Sequence, residues 1–248
     1  MAIAIFVSTA IAARAIQRAV RNDARFTVNG EFAGSQDSTD FSIQGLQYAS
    51  RSRVAKIFAP DFGRNLFDLP VGERRRKLLA IDWIEDASVS RIWPNKVTVR
   101  VWERKPVAFV NLETGAGRSR SVRLALIDAH GVVLEQPEKF DSSFPVLNGV
   151  HESQPESERR DRVRHMLRLT QELGPQLADE LSEIDVSVVD NLRITLETDG
   201  QVVELMIGNG NFRKRLDDFL THYPEIHKKS PELKLFDLRL DDRITGKG

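Results

Sequence analysis

The stretch IDWIEDASVSRIWPNKVTVRVWERKP, residues 81–106, decides the fold. Val97, Val99 and Val101 alternate with Thr98, Arg100 and Trp102. A period of two puts the valines on one face of a strand and the other three on the opposite face. Pro94-Asn95 separates this run from another at 87–93, which reads as a hairpin with strands 87–93 and 96–103. Pro106 has no N–H to donate, so it stops the pairing and redirects the chain. Upstream, Pro70 stands at the first position of a helix that carries Leu78, Leu79 and Ile81. Arg51–Ala59 reads as a short helix, with Ser50 or Ser52 as its cap and Pro60 beyond its end. Phe41–Tyr48 is strand-like. The order strand, helix, helix, strand, strand over 41–106 predicts a compact α+β unit.

After Pro106 the texture changes to short strands at 107–112, 123–128 and 132–134. Residues 152–173 read as a charged amphipathic helix with Val163, Met166, Leu167, Thr170 and Leu173 inside, ended by Gly174-Pro175. Strands follow at 184–189, 191–197 and 201–207, the last two joined by the hairpin signal Asp199-Gly200. A helix at 211–223 aligns Phe212, Leu216, Phe219, Leu220 and Tyr223. The final strand is expected at 235–244. The sum is an α+β chain whose second domain, 107–248, is mostly antiparallel with two helices.

Composition narrows the function classes. The chain has 248 residues, no cysteine, and 36 Lys+Arg against 36 Asp+Glu. Absence of cysteine excludes disulfide scaffolds, thiolate metal sites and cysteine nucleophiles. The balance hides an asymmetry: residues 41–106 carry a net charge of +6, residues 151–248 a net of −5. That fits two domains and argues against nucleic-acid binding along the whole chain.

The sequence carries no catalytic constellation. Gly208-Asn209-Gly210-Asn211-Phe212-Arg213 imitates part of a dinucleotide loop, but the third glycine is missing and the preceding strand sits in a hairpin. A turn with an asparagine cap is expected there. Asp217-Asp218 and Asp241-Asp242 are adjacent pairs that point different ways on a helix or strand. The five histidines show no metal-ligand spacing, and His222 and His227 bracket Tyr223-Pro224 as a helix end. No metal, cofactor or enzymatic activity is expected. Arg74-Arg75-Arg76-Lys77 is the sharpest charge run. It is either a solvated helix face or a patch that meets anionic lipid or an acidic partner.

Met1–Ala13 carries no charged side chain. Thirteen residues of helix would reach about 20 Å, against a hydrocarbon core of about 30 Å. Residues 1–20 are therefore expected to be either a short docked amphipathic helix or part of a transmembrane anchor, with 21–40 as a linker.

Trp83, Ala87-Ser88-Val89, Arg91-Ile92-Trp93-Pro94 and Glu103-Arg104-Lys105-Pro106-Val107-Ala108 together resemble the FtsQ/DivIB family of bacterial cell-division proteins. Residues 41–106 look like that family's POTRA domain. Residues 126–134, 144–149 and 235–240 look like parts of its β domain. The resemblance implies a non-catalytic, single-pass inner-membrane protein at the division septum, with its bulk in the periplasm. Its implied task is to recruit and regulate septal peptidoglycan synthesis by binding the coiled-coil proteins FtsB and FtsL. An outer-membrane assembly or secretion factor with a POTRA domain and a periplasmic ligand-binding protein are the alternatives.

The implied partner mode is β-augmentation at the edge of strand 235–244. Phe236, Leu238 and Leu240 alternate there with Asp237, Arg239 and Asp241, after Leu235. Arg239 is expected to meet a partner carboxylate. Asp241, Asp242 and Arg243, followed by Ile244, would blunt wrong edge pairing. The basic run Arg74–Lys77 is the candidate for earlier recruitment contacts or for the membrane.

Overall fold

The computed structural model describes residues 19, 21–29, 38–114, 121–140, 143–188, 190–240 and 242–247. Nearly all of the expected anchor, 1–20, lies outside these. Among the described residues no helix is long and apolar enough to cross a membrane. The chain divides into two compact units, Met1–Arg104 and Lys105–Gly248, a boundary two residues before the expected one.

In the first unit β1 (Phe41–Gln44), β2 (Ile84–Ile92) and β3 (Lys96–Glu103) form a sheet in the order β1-β3-β2. β1 runs parallel to β3, and β2 antiparallel to it. The valine alternation works as read: Val97, Val99 and Val101 are buried, and Trp102 is half exposed. Each buried valine stabilises by about 1.5–3 kcal/mol. Helices α1 (Arg51–Phe58) and α2 (Val71–Leu78) supply Val54, Phe58 and Leu78 to the same core. Ser50 caps α1, accepting from the Arg53 N–H at 3.3 Å. The Glu103 carboxylate accepts the N–H groups of Gln47, Tyr48 and Ala49, so the end of β3 holds the loop that enters α1. Part of the expected linker is tied down. Thr27 pairs with Asn65, and Val28, which is buried, donates to the Arg64 carbonyl and accepts from the Gly63 N–H.

The second unit is built on β4 (Pro106–Thr114), β5 (Ser121–Asp128), β6 (Val133–Leu134), β7 (Val146–Asn148), β8 (Leu181–Asp185), β9 (Leu192–Thr198), β10 (Gln201–Gly208), β11 (Leu235–Asp237) and β12 (Thr245–Lys247). Among the described residues these form one sheet in the order β12-β11-β10-β9-β8-β7-β4-β5-β6. Most pairs are antiparallel; β10–β11, β7–β8 and β4–β7 are parallel. Among the described residues three helices accompany it: α3 (Glu156–Leu173), α4 (Pro175–Ala178) and α5 (Phe212–Lys229). Val163, Met166, Leu169 and Leu173 of α3 and Phe212, Leu216, Phe219 and Tyr223 of α5 join the sheet's inner residues in one core. Strand β7 was not expected as an element, nor was α4.

The end of α5 differs from its sequence reading. Pro224 forfeits one backbone hydrogen bond, yet the helix runs on to Lys229. Tyr223 is buried and Ile226 packs against the core, so burial of the apolar stripe outweighs the proline. His222 therefore does not cap a helix end; its Nδ1 lies 2.7 Å from the Asp218 carbonyl inside the helix.

Candidate functional site

The C-terminal segment does not form one strand. Only Leu235–Asp237 pairs with β10, and Leu238 prolongs the contact by donating to the Met206 carbonyl at 3.0 Å. The chain then leaves the sheet and returns as β12, antiparallel to β11, with Leu235 opposite Lys247, Phe236 opposite Gly246 and Asp237 opposite Thr245. The expected strand 235–244 is thus replaced by two three-residue strands joined by an excursion. β12, not β11, is the outermost strand at this end of the sheet.

The split follows from what each residue can bury. Phe236 and Leu238 are 1% and 2% exposed, packed in the core. Phe236 meets Phe219 at 5.1 Å and Tyr223 at 5.9 Å between ring centroids, the second pair edge to face. Burial pushes the Tyr223 phenol pKa up, with a smaller push from Asp199. Leu240, the third member of the expected apolar face, is 54% exposed. Arg239 turns back on its own chain. Its Nε and Nη2 donate to the two Asp237 carboxylate oxygens at 2.8 and 2.5 Å. The guanidinium holds the Asp237 carboxyl below the usual carboxylate range. Asp242 and Arg243 pair with each other at 3.2 Å on the surface, and Ile244 packs partly against the core. Asp241 lies outside the described residues.

A groove of about 500 Å³ runs between α5 and this excursion. Ile226, Leu238, Leu240 and Ile244 make its apolar part; Asp218, His222, Glu225 and Lys229 line the helix side. Sequence reasoning did not anticipate it, because its two walls lie about twenty residues apart and only the backbone excursion brings them together. Among the described residues no group of three His, Asp or Glu side chains could hold a metal ion.

The second expected site is largely taken apart. Arg74 is 5% exposed, and its Nε and Nη2 grip the Asp61 carboxylate at 2.6 and 2.8 Å. It is no part of a surface patch, because the face of α2 that carries it turns toward the core. The paired Asp61 carboxylate holds the Arg74 guanidinium pKa above its usual value. Arg75 bonds Asp86 and the Ala87 carbonyl, and Lys77 pairs with Glu73. Arg76 is exposed.

A POTRA-type unit followed by a mostly antiparallel β domain defines a POTRA-bearing, two-domain protein. Residues 38–104 match a family model described as POTRA domain, FtsQ-type, and residues 118–239 match Cell division protein FtsQ/DivIB, C-terminal. The chain belongs to the FtsQ/DivIB family. It is 35% identical over 214 residues to the cell-division protein FtsQ of Koribacter versatilis, covering 84% of this chain and 59% of that one. It is 27% identical over 183 residues to FtsQ of Actinobacillus pleuropneumoniae, covering 73% and 69%. To FtsQ of Geotalea daltonii it is 22% identical over 210 residues, covering 83% and 73%.

Proposed function

We propose that the chain is a non-catalytic scaffold of bacterial cell division. It recruits and regulates septal peptidoglycan synthesis by binding FtsB/FtsL-type coiled-coil partners. The N-terminal apolar run anchors it in the inner membrane as a single-pass protein, with both domains outside the cytoplasm. The family membership carries this reading, and the sheet edge at 235–247 gives it a mechanism. A partner strand extends the sheet beyond β12, where the main chain supplies affinity. Leu240 and the groove beside α5 receive apolar side chains from the partner. Arg239 exchanges part of its pairing with Asp237 for a partner carboxylate.

Leu240 is exposed and outside every strand, so Leu240→Pro should leave the sheet intact. Co-purification with the FtsB and FtsL proteins of the same genome should then be lost, while circular dichroism and melting stay unchanged. Undiminished binding by the folded variant would remove Leu240 and the groove beside α5 from the contact. In cells, depletion of a fluorescently tagged copy should give filaments or chains, with midcell bands before depletion. Uniform peripheral signal and normal division would remove the division role itself.

At the POTRA domain, the recruitment surface of α2 narrows to Arg76 with the solvent sides of Arg75 and Lys77. Charge reversal at Arg76 and Lys77 should weaken vesicle or partner association at low salt without unfolding. Unchanged association would make this helix face merely solvated.

A further inference from the structure

Three aromatic side chains gather at one end of the POTRA domain, where the β2–β3 turn meets the chain arriving from the N-terminus. Trp93 stacks edge to face on Phe67 at 4.9 Å and on Phe26 at 5.2 Å, and these two meet each other at 5.6 Å. The cluster is not a core. Trp93 is 62% exposed, and its neighbour Ile92 is 46% exposed. Single exposed apolar residues are ordinary, but a grouped set led by tryptophan marks a contact surface.

The position of the cluster says what it meets. Phe26 is clamped beside Trp93 by the Thr27–Asn65 bridge and by the two backbone bonds of Val28. Thirteen residues upstream the uncharged run ends at Ala13. That tether spans at most roughly 45 Å fully extended, and the helical residues at 21–22 and the turn Ala24–Phe26 shorten it. On the anchor reading this end of the domain therefore stays close to the bilayer. Residues 14–29 carry four arginines and one aspartate. The acids described at this end are engaged: Asp23 pairs with Arg25 at 2.7 Å, Asp68 with Arg21 at 3.3 Å, and Asp40 accepts from the Asn95 side chain of the turn at 2.7 Å. Exposed Arg64 adds a cation alongside. An exposed aromatic tip with Arg64 beside it, next to an arginine-rich stretch of chain, is the chemistry of a bilayer interface, where amphipathic rings sit at headgroup depth and guanidinium groups reach phosphates.

We infer that the Trp93 turn, with Phe26 and Phe67 behind it, rests in the headgroup layer of an anionic membrane and fixes the tilt of the POTRA domain on it. The inference rests on the anchor reading proposed above. The probe is the full chain carrying Trp83→Phe and Trp102→Phe, which leaves Trp93 as the reporter, bound to phosphatidylcholine–phosphatidylglycerol vesicles. Lipids brominated near the glycerol backbone should quench its emission, since an interfacial tryptophan sits at that depth, and shift the remainder to the blue. Should that variant fold poorly, the difference between the unaltered chain and Trp93→Phe reads the same quantity. Vesicle-bound chain whose Trp93 emission is untouched would overturn the inference and leave the anchor standing. Chain that does not sediment with vesicles would overturn both. Shielding of Trp93 only after a division protein is added would reassign the tip to a protein partner.

Discussion

Arg215 holds Arg239 by its backbone, not by its charge. The Arg215 guanidinium donates to the Arg239 carbonyl at 3.0 Å and to the Ile207 carbonyl at 2.9 Å, which ties α5 to the end of β10 and to the excursion that follows β11. Gly208, at φ +78°, makes room: a Cβ there would lie 2.8 Å from an Arg215 Nη1. Loss of two such bonds costs about 1–2 kcal/mol at a partly exposed site. Arg215→Ala should therefore raise amide exchange at 238–240 by about 5–30-fold, with the POTRA domain unaffected. Unchanged exchange would mean that Leu238, Ile244 and the Arg239–Asp237 pair hold the excursion without Arg215.

The outer strand offers a second prediction. A Cβ on Gly246 would sit 2.7 Å from Leu233 Cδ1 and 3.3 Å from Phe236 Cε1, so Leu233 must swing aside for any side chain here and a β-branched one also crowds the buried Phe236 ring. Gly246→Val should detach β12 and weaken FtsB-type binding by at least about tenfold, or 1.4 kcal/mol. Gly210→Ala, where a Cβ meets open space, is the control that should change nothing. Tighter binding by Gly246→Val would show that β12 masks the edge and that the partner pairs with β11.

In the POTRA domain the Asp61–Arg74 pair is buried on both sides. Removal of one partner leaves an uncompensated charge, which costs about 3–5 kcal/mol. Asp61→Ala should lower the melting temperature of this domain by at least about 12 °C. The double variant Asp61→Leu, Arg74→Met should recover most of that loss in calorimetry, since an apolar pair of similar size removes the stranded charge. Equal losses in the single and double variants would contradict this account.

Asp237 predicts an acid-sensitive edge. Its carboxyl is lowered in the folded chain, first by the Arg239 side chain, so the unfolded segment binds a proton more readily than the folded one. The resulting stabilisation is complete above the unfolded carboxylate value of about 3.9 and is lost as pH falls through the lowered folded value. Amide exchange or NMR of Arg239 should show the segment loosening in that window. Asp237→Asn should abolish the pH dependence.

The POTRA strands were legible because each valine of 96–103 faces the same side, a pattern that survives without knowledge of the partners. The family's Glu103-Arg104-Lys105-Pro106 signature also has a visible task, since Glu103 holds three amides of the loop before α1. Strand β7 is hard to see because Val146-Leu147-Asn148 are too few to show a period, and only Leu147 is buried. Helix α5 was cut short because Pro224 is a local stop signal, whereas the burial that overrules it is tertiary. Arg74 was grouped with its sequence neighbours because its partner, Asp61, stands 13 positions away, a spacing no helical period announces. Phe236 and Leu238 share one apolar face, but it is spent on the core and not left for a partner; Leu240 falls outside it because the backbone has left the sheet.

The parallel pairing of β10 with β11 sets an order of events during synthesis. Parallel neighbours need a crossover, and here α5 and its flanks provide it, so β11 cannot dock until residues 212–229 have emerged and settled on the core. A nascent chain halted before Leu235 presents β10 as its last strand, with neither the excursion nor the groove beside it. Under the proposed edge mechanism, partner recruitment would act as a checkpoint on completed translation, since a ribosome-bound or truncated copy offers no binding strand.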